Sequence, residues 1–297
     1  MGAVASPVRT EFRAMGTDCD IVIHGGPADL DVLAEAHVRD LDAQWSRFRS
    51  DSELALLNVL AGTGRVPASP TMRVLVRAML AAFQITNGLC DASVHDSVIG
   101  IGYDADFDAV VARGTTPVAS VTGPPPGLTG VEVGRDWVSL PDGVHLDSGA
   151  VGKGLGADLV ASRIMAAGAA GCAVNLGGDV VIRGTTIDGS PWVVGVDDAR
   201  NPGESLLGFE LPEGGAIATS SILKRRWADK HHVIDPRTGD SARTDICQAT
   251  VIANEGWLAE AAATAALLLG SHKAPVWMAE HDLHGLLVTT DNHVIEV

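Results

Sequence analysis

Residues 18–25, DCDIVIHG, alternate polar and apolar side chains and end in Gly25-Gly26, the pattern of a half-buried strand. The period then changes. Over 28–46, Leu30, Leu33, Ala34, His37, Leu41 and Trp45 recur at helical spacing, predicting an amphipathic helix. A second helix is predicted over 70–87, with Met72, Leu75, Val76, Met79 and Phe83 on one face. The pattern lapses in GTTPVASVTGPPPGLTG (114–130), rich in proline, glycine and threonine, which reads as a long loop or a subdomain join. DWVSLPDGVHLD (136–147) predicts two strands around an Asp142-Gly143 turn. A helix over 154–167 follows, then strands in GCAVNLGGDVVIRG (171–184), SPWVVGVDDA (190–199) and QATVIA (248–253). The last long helix is expected to start at Asn254 as N-cap and to stop at Gly270. GLLVTTDNHVIEV (285–297) closes as a hairpin with an Asp291-Asn292 turn. Nothing repeats at 20 to 50 residues, and hairpins beside helices predict an α+β fold rather than a doubly wound parallel sheet.

Composition narrows the function. With 46% hydrophobic and 20% charged residues, the 297-residue chain can bury a sizeable core, in one large domain or two small ones. The formal net charge of −16 excludes a nucleic-acid backbone as the main partner. An anionic ligand would need local compensation from a metal, a lysine or backbone N–H groups. The one short basic run, Lys224-Arg225-Arg226, reads as a solvated loop face. Cysteines stand alone at 19, 90, 172 and 247, which supports neither a zinc site nor a disulfide framework and fits a reducing compartment. The first residues, MGAVASPVRTEFRAMGT, lack the apolar core of a signal peptide, and no run of about 18 apolar residues occurs. The expectation is a soluble, cytoplasmic chain.

Four stretches carry candidate chemistry. LDSGAVGKG (146–154) places Lys153 among glycines; it fails the Walker A spacing, so a P-loop is rejected. Gly149, Gly152 and Gly154 let a backbone approach a ligand closely, and Lys153 stands where a helix begins. A cation is disfavoured there unless an anion sits beside it. The plain alternative is a surface lysine after a turn. In NEGWLAEAAATAALLLG (254–270), Glu260 and Thr264 lie one helical turn apart among alanines. They form a hard-oxygen pair suited to Mg2+, or else an exposed glutamate on an alanine-rich helix. NLGGDV (175–180) reads as a tight turn or a close approach to a ligand. HHVIDPRTG (231–239) sets two histidines before an Asp-Pro turn, which suits proton transfer as well as it suits a core histidine.

Their order says more than any one of them. MGT (15–17), SRFRSDSELALLN (46–58), GLCDAS (88–93), LDSGAVGKG, NLGGD, AIATSS (216–221), HHVIDPRTG and LAEAAATAALLLG (258–270) together resemble the ApbE family, the FAD:protein FMN transferases. The resemblance runs from Met15 to about Val288 and implies an α+β, T-fold-related arrangement of mixed or antiparallel sheets packed with helices. That is one compact domain over 1–297 with two subdomains joined near 114–130. It implies Mg2+ as cofactor, FAD as substrate, and transfer of FMN to a Thr or Ser hydroxyl of an acceptor flavoprotein through a phosphoester bond, releasing AMP. Carried over by motif, Met15, Phe48, Leu89, Cys90 and Asp91 line the flavin nucleotide site, Asp147 and Lys153 reach FAD from the glycine loop, and Ile234 does so from the H-x-I-D-P turn. The metal takes the Ala150 carbonyl and the side chains of Glu260 and Thr264. His232 is the candidate for proton handling, oriented by Asp235, while Lys153 neutralises charge at the transition state. Three departures stand out. Glu260 replaces the family's usual Asp, which shifts the carboxylate by roughly 1.5 Å when Mg2+ favours near-octahedral geometry. Ser221 replaces a glycine, and Leu89-Cys90 replace Ala-Phe. Two other readings stay open: an FAD-binding protein without catalysis, and Mg2+-dependent hydrolysis of FAD to FMN and AMP.

Overall fold

The alternating run near the N-terminus is the second strand of an eight-stranded sheet. A computed structural model of the chain describes residues 6–113, 123–201 and 203–297. The sheet comprises β1 (Val8–Ala14), β2 (Thr17–His24), β3 (Gly171–Leu176), β4 (Asp179–Gly184), β5 (Gly215–Ser221), β6 (Ile246–Ala253), β7 (His284–Thr289) and β8 (Val294–Glu296). They lie side by side in chain order, and each neighbouring pair is antiparallel. Gly177 and Gly178 join β3 to β4 with φ of 69° and 97°, the double positive-φ turn that matches strand twist. The NLGGDV glycines are therefore turn residues.

Four long helices complete the frame: α1 (Leu30–Trp45), α2 (Pro70–Ile85), α3 (Gly152–Ala166) and α4 (Gly256–Glu280). Strand alternation sends Ile21, Ile23, Val174 and Val181 to one face, where they form a buried cluster with Ala34, Val38 and Leu41 of α1 and Ala157, Val160 and Ile164 of α3. On α1 the buried stripe runs through Val38, while Leu33 and His37 are half-buried. The opposite face carries Ile182 and Ile217, which cluster with Val196 and Leu211 of the hairpin Trp192–Asp197/Ser205–Leu211. This mixed, antiparallel architecture is the α+β fold that the pattern predicts. No helix among the described residues is long and apolar enough to cross a membrane.

Two local expectations need correction. Trp137–Leu140 is a strand, but 143–147 is not; Trp137–Leu140 pairs instead with Gly64–Pro67 and Glu132–Val133. The backbone of Leu146 is taken by the buried Asn58 amide, which accepts its N–H at 2.8 Å and donates to its carbonyl at 2.9 Å. The Asp147 N–H then donates to the Ala92 carbonyl at 2.7 Å, so no ladder is left to form. Asn254 is not an N-cap either. The first N–H groups of α4, at Gly256 and Trp257, donate to the Asp158 carboxylate of α3 at 3.0 and 3.1 Å, so a neighbouring helix supplies the cap. Gly270 does break α4, with φ 78° and ψ 170°, yet helix resumes beyond it, where Asp245 accepts the Ser271 N–H at 3.0 Å. Of the stretch read as a loop or join, 114–122 lies outside the described residues, and 123–130 forms no strand or helix.

Candidate active site

Two glycines decide where the site sits. A Cβ on Gly154 would lie 2.2 Å from the Gly256 carbonyl oxygen, and one on Gly256 would lie 2.4 Å from the Gly154 oxygen. Helices α3 and α4 thus begin in backbone contact, a distance only glycine permits. Gly154 was expected to admit a ligand; it admits another helix. Its N–H donates to Glu260 Oε2 at 2.8 Å, one turn into α4.

That crossing brings Lys153 between two buried carboxylates, those of Glu260 and Asp179, with a short hydrogen bond to each. The anion that a lysine at a helix start requires is supplied by the protein itself. Burial opposes the charge on Lys153, but Asp179 and Glu260 together outweigh it and hold the ammonium above the usual lysine range. Glu260 is pushed above the usual carboxylate range, by burial first, against the pull of Lys153 and with Asp179 adding to the push. One cation between two anions leaves the cluster short of positive charge. Thr264, one turn beyond Glu260, shares a hydrogen bond with Ser220 at 3.0 Å. Asp179 was not singled out among the predicted residues, although it closes the NLGGD motif.

These groups open onto a cavity of about 1110 Å³, lined also by Met15, Phe48, Leu89, Cys90, Asp91, Asp147, Ala150, His232 and Ile234. Met15 holds a positive φ of 52°. The Cys90 thiol points at the Ala150 carbonyl at 3.8 Å, and burial pushes it well above the usual thiol range, so it stays protonated. Burial also raises Asp91, although its carboxylate accepts the Ser93 N–H at 2.8 Å. Asp147 accepts the Gly149 N–H at 2.7 Å and pairs with Arg47 at 2.9 Å. That ion pair is close but poorly aligned, so Asp147 Oδ2 has no well-formed hydrogen bond. Arg47 was missed by motif reading. Its guanidinium lies over the rings of Phe48 and Tyr103, 4.0 and 4.4 Å from their centroids, and donates to the Tyr103 carbonyl at 2.6 Å.

The two adjacent histidines divide the roles that their motif left open. His231 is 6% exposed and holds the Ala242 carbonyl at 2.9 Å through Nε2, a core histidine. His232 stands on the cavity wall, half-buried, and its Nδ1 is shielded without a partner. Burial, then Arg225 and His231, push it down to about 3, so the ring is neutral at ordinary pH. Asp235 does not orient it. That carboxylate accepts the Arg237 N–H at 2.9 Å and its guanidinium at 2.7 and 2.8 Å, and it does not line the cavity. The basic run is corrected too: Lys224 and Arg225 line the cavity rather than a free loop face.

The ApbE family profile matches residues 15–287. The chain belongs to the ApbE family. It is 29% identical over 303 residues to the FAD:protein FMN transferase of Rhodobacter capsulatus, covering 98% of this chain and 57% of that protein. Against the FAD:protein FMN transferase of Klebsiella pneumoniae it is 28% identical over 300 residues, covering 94% and 84%. The chain therefore spans little more than half the length of the first relative and most of the second. Among solved structures, the ApbE protein of Thermotoga maritima superposes with a TM-score of 0.86 at 23% identity, covering 98% of this chain and 97% of that one. The Vibrio cholerae flavin transferase ApbE gives 0.79 at 21%, covering 99% and 97%. These likenesses show the same fold.

Proposed function

We propose that this ApbE-family chain is an FAD:protein FMN transferase: it moves the FMN half of FAD to a Thr or Ser hydroxyl of an acceptor flavoprotein, with Mg2+, and releases AMP. The observation that carries this reading is the Lys153–Asp179–Glu260 cluster at the floor of a cavity large enough for a dinucleotide. The donor set suits Mg2+: two buried carboxylates already converge on a cation, and the Thr264 hydroxyl lies on the same helix face as Glu260. Glu260, Thr264 and the Ala150 carbonyl would hold the ion, and Asp179 extends that set. When bound, Mg2+ supplies charge neutralisation at the pyrophosphate, the largest contribution a protein site makes to phosphoryl transfer.

The remaining work falls to side chains. Lys153 and Arg225, both on the cavity wall, bring positive charge to the diphosphate. Arg47, held against the Phe48 and Tyr103 rings, braces Asp147 at the nucleotide wall. His232 is neutral in the free chain and is placed to accept the proton of the acceptor hydroxyl once the negative charge of the diphosphate offsets the burial and the Arg225 charge that hold it down. The hydroxyl oxygen bonds to the FMN phosphorus as the bond to the bridging oxygen breaks, and AMP leaves with that oxygen. Incubation with FAD and Mg2+ tests the reading. AMP formed only with an acceptor supports transfer, AMP formed without one means hydrolysis, and no AMP means FAD binding alone. His232→Ala is expected to slow transfer by at least about 100-fold while FAD still binds; an unchanged rate removes His232 from the mechanism.

A further inference from the structure

Outside the cavity, a second constellation takes no part in that chemistry. His95 Nδ1 lies 3.0 Å from Asp96 Oδ1, and His145 Nδ1 lies 2.9 Å from Asp96 Oδ2. All three residues offer ligand atoms within 4.8 Å of one another, and none lines the cavity. The imidazole rings meet edge to face, with centroids 5.9 Å apart. We propose that His95, Asp96 and His145 bind a divalent transition metal of the Zn2+ type, which staples the 91–96 segment to the 145–147 segment.

The donor set argues for the metal class. Two imidazole nitrogens and one carboxylate oxygen suit Zn2+, Co2+ or Ni2+, whereas Mg2+ and Ca2+ take oxygen ligands. Metal–ligand bonds of about 2.1 Å in a tetrahedral site place ligand atoms roughly 3.4 Å apart. The nitrogen–oxygen separations of 2.9 and 3.0 Å therefore need to open by only a few tenths of an ångström. Access is present as well: the side chains of His95, His145 and Asp96 are 16%, 33% and 63% exposed. The metal enters from the Asp96 side and keeps water in the remaining position.

The position gives such a site a task. His95 and Asp96 follow Asp91 by four and five residues, and His145 precedes Asp147 by two, so the ligands come from the two segments that carry acidic cavity residues. Those segments already touch where the Asp147 N–H donates to the Ala92 carbonyl. A metal across them would cross-link that junction from outside. The proposal does not rest on the flavin-transfer reading.

Co2+ is the probe. The untagged, metal-free full chain is titrated with Co2+ in excess Mg2+, which occupies oxygen-rich sites. The expected result is one equivalent bound with visible ligand-field absorption, displaced by Zn2+. His145→Gln and Asp96→Asn are each expected to weaken Co2+ binding by more than about 100-fold. The melting temperature of the parent chain should rise with Zn2+, and that of His145→Gln should not. Failure of the parent to bind Co2+, variants that bind it as tightly as the parent does, or loss of the signal to Mg2+ competition would each overturn the site.

Discussion

The two faces of the eight-stranded sheet are made by the same strands and do opposite things. Under the helices lie Ile21, Ile23, Val174, Val181 and Ala218, all almost wholly buried. One residue away in each strand, Asp20, Val22, Asn175, Ile182 and Thr219 line the cavity. The first face excludes water and stabilises; the second keeps room for a ligand. Strand alternation alone separates the two tasks, because neighbours in a strand point to opposite sides. Chemistry enters where the division stops, at the crossing of α3 and α4, where charged groups from the helix side reach the cavity floor.

Substitutions at that crossing should have the largest effects. Lys153→Ala leaves Asp179 and Glu260 buried together without their cation and is expected to lower unfolding free energy by about 3–5 kcal/mol. Added Mg2+ should restore part of that loss in urea titrations, and no restoration would argue against a metal at these carboxylates. Next, Ile21→Ala on the helix face should cost about 2–5 kcal/mol, whereas Val22→Ala, one residue on, should cost less than about 1 kcal/mol. Equal losses would erase the contrast between the faces. Gly154→Ala forces a methyl group against the Gly256 carbonyl and is expected to cost about 1–3 kcal/mol, read as a lower melting temperature.

The last prediction is a pH dependence on the cavity side, whose size per pH unit is small. His232 is held down to about 3 from an ordinary 6.5, so the unfolded chain binds a proton there that the folded chain refuses. Its contribution to stability is therefore intact above about pH 6.5 and declines as pH falls toward 3, by at most about 1.4 kcal/mol per pH unit. His232→Gln should flatten that slope in chemical denaturation between these limits. An identical slope in the variant would mean that His232 exchanges protons freely with solvent in the folded protein.

Much of this frame could be read in advance. The period-two run at 18–25 and the period-three-to-four runs in α1 and α2 appear at the expected places, because burial of one face imprints its period on a chain. Helix starts were harder, since Asp158, ninety-eight residues before Gly256, caps α4 better than the adjacent Asn254 could. At the site, motif order pointed to the Asp147–Lys153 loop and the Glu260/Thr264 pair, which the fold does bring together with His232. Arg47 and Asp179 escaped notice because an arginine between Ser46 and Phe48, or an aspartate after two glycines, carries no periodic signal. Asp235 misled for a related reason: it is near His232 in sequence, yet its charge is consumed by Arg237 within the same turn.

By itself, then, the order of residues determined the long helices and most strands of the sheet, which face of each is apolar, and which short motifs hold unusual polar groups. Only the tertiary structure decided who faces whom: that Gly154 meets a helix and not a ligand, that Asp179 and Glu260 share one ammonium, and that His232 stands alone on a cavity wall while His231 is in the core. The reason is physical. Periodicity is a property of one segment against its surroundings, whereas an ion pair or an unpartnered ring nitrogen depends on two segments whose approach is set by packing far away.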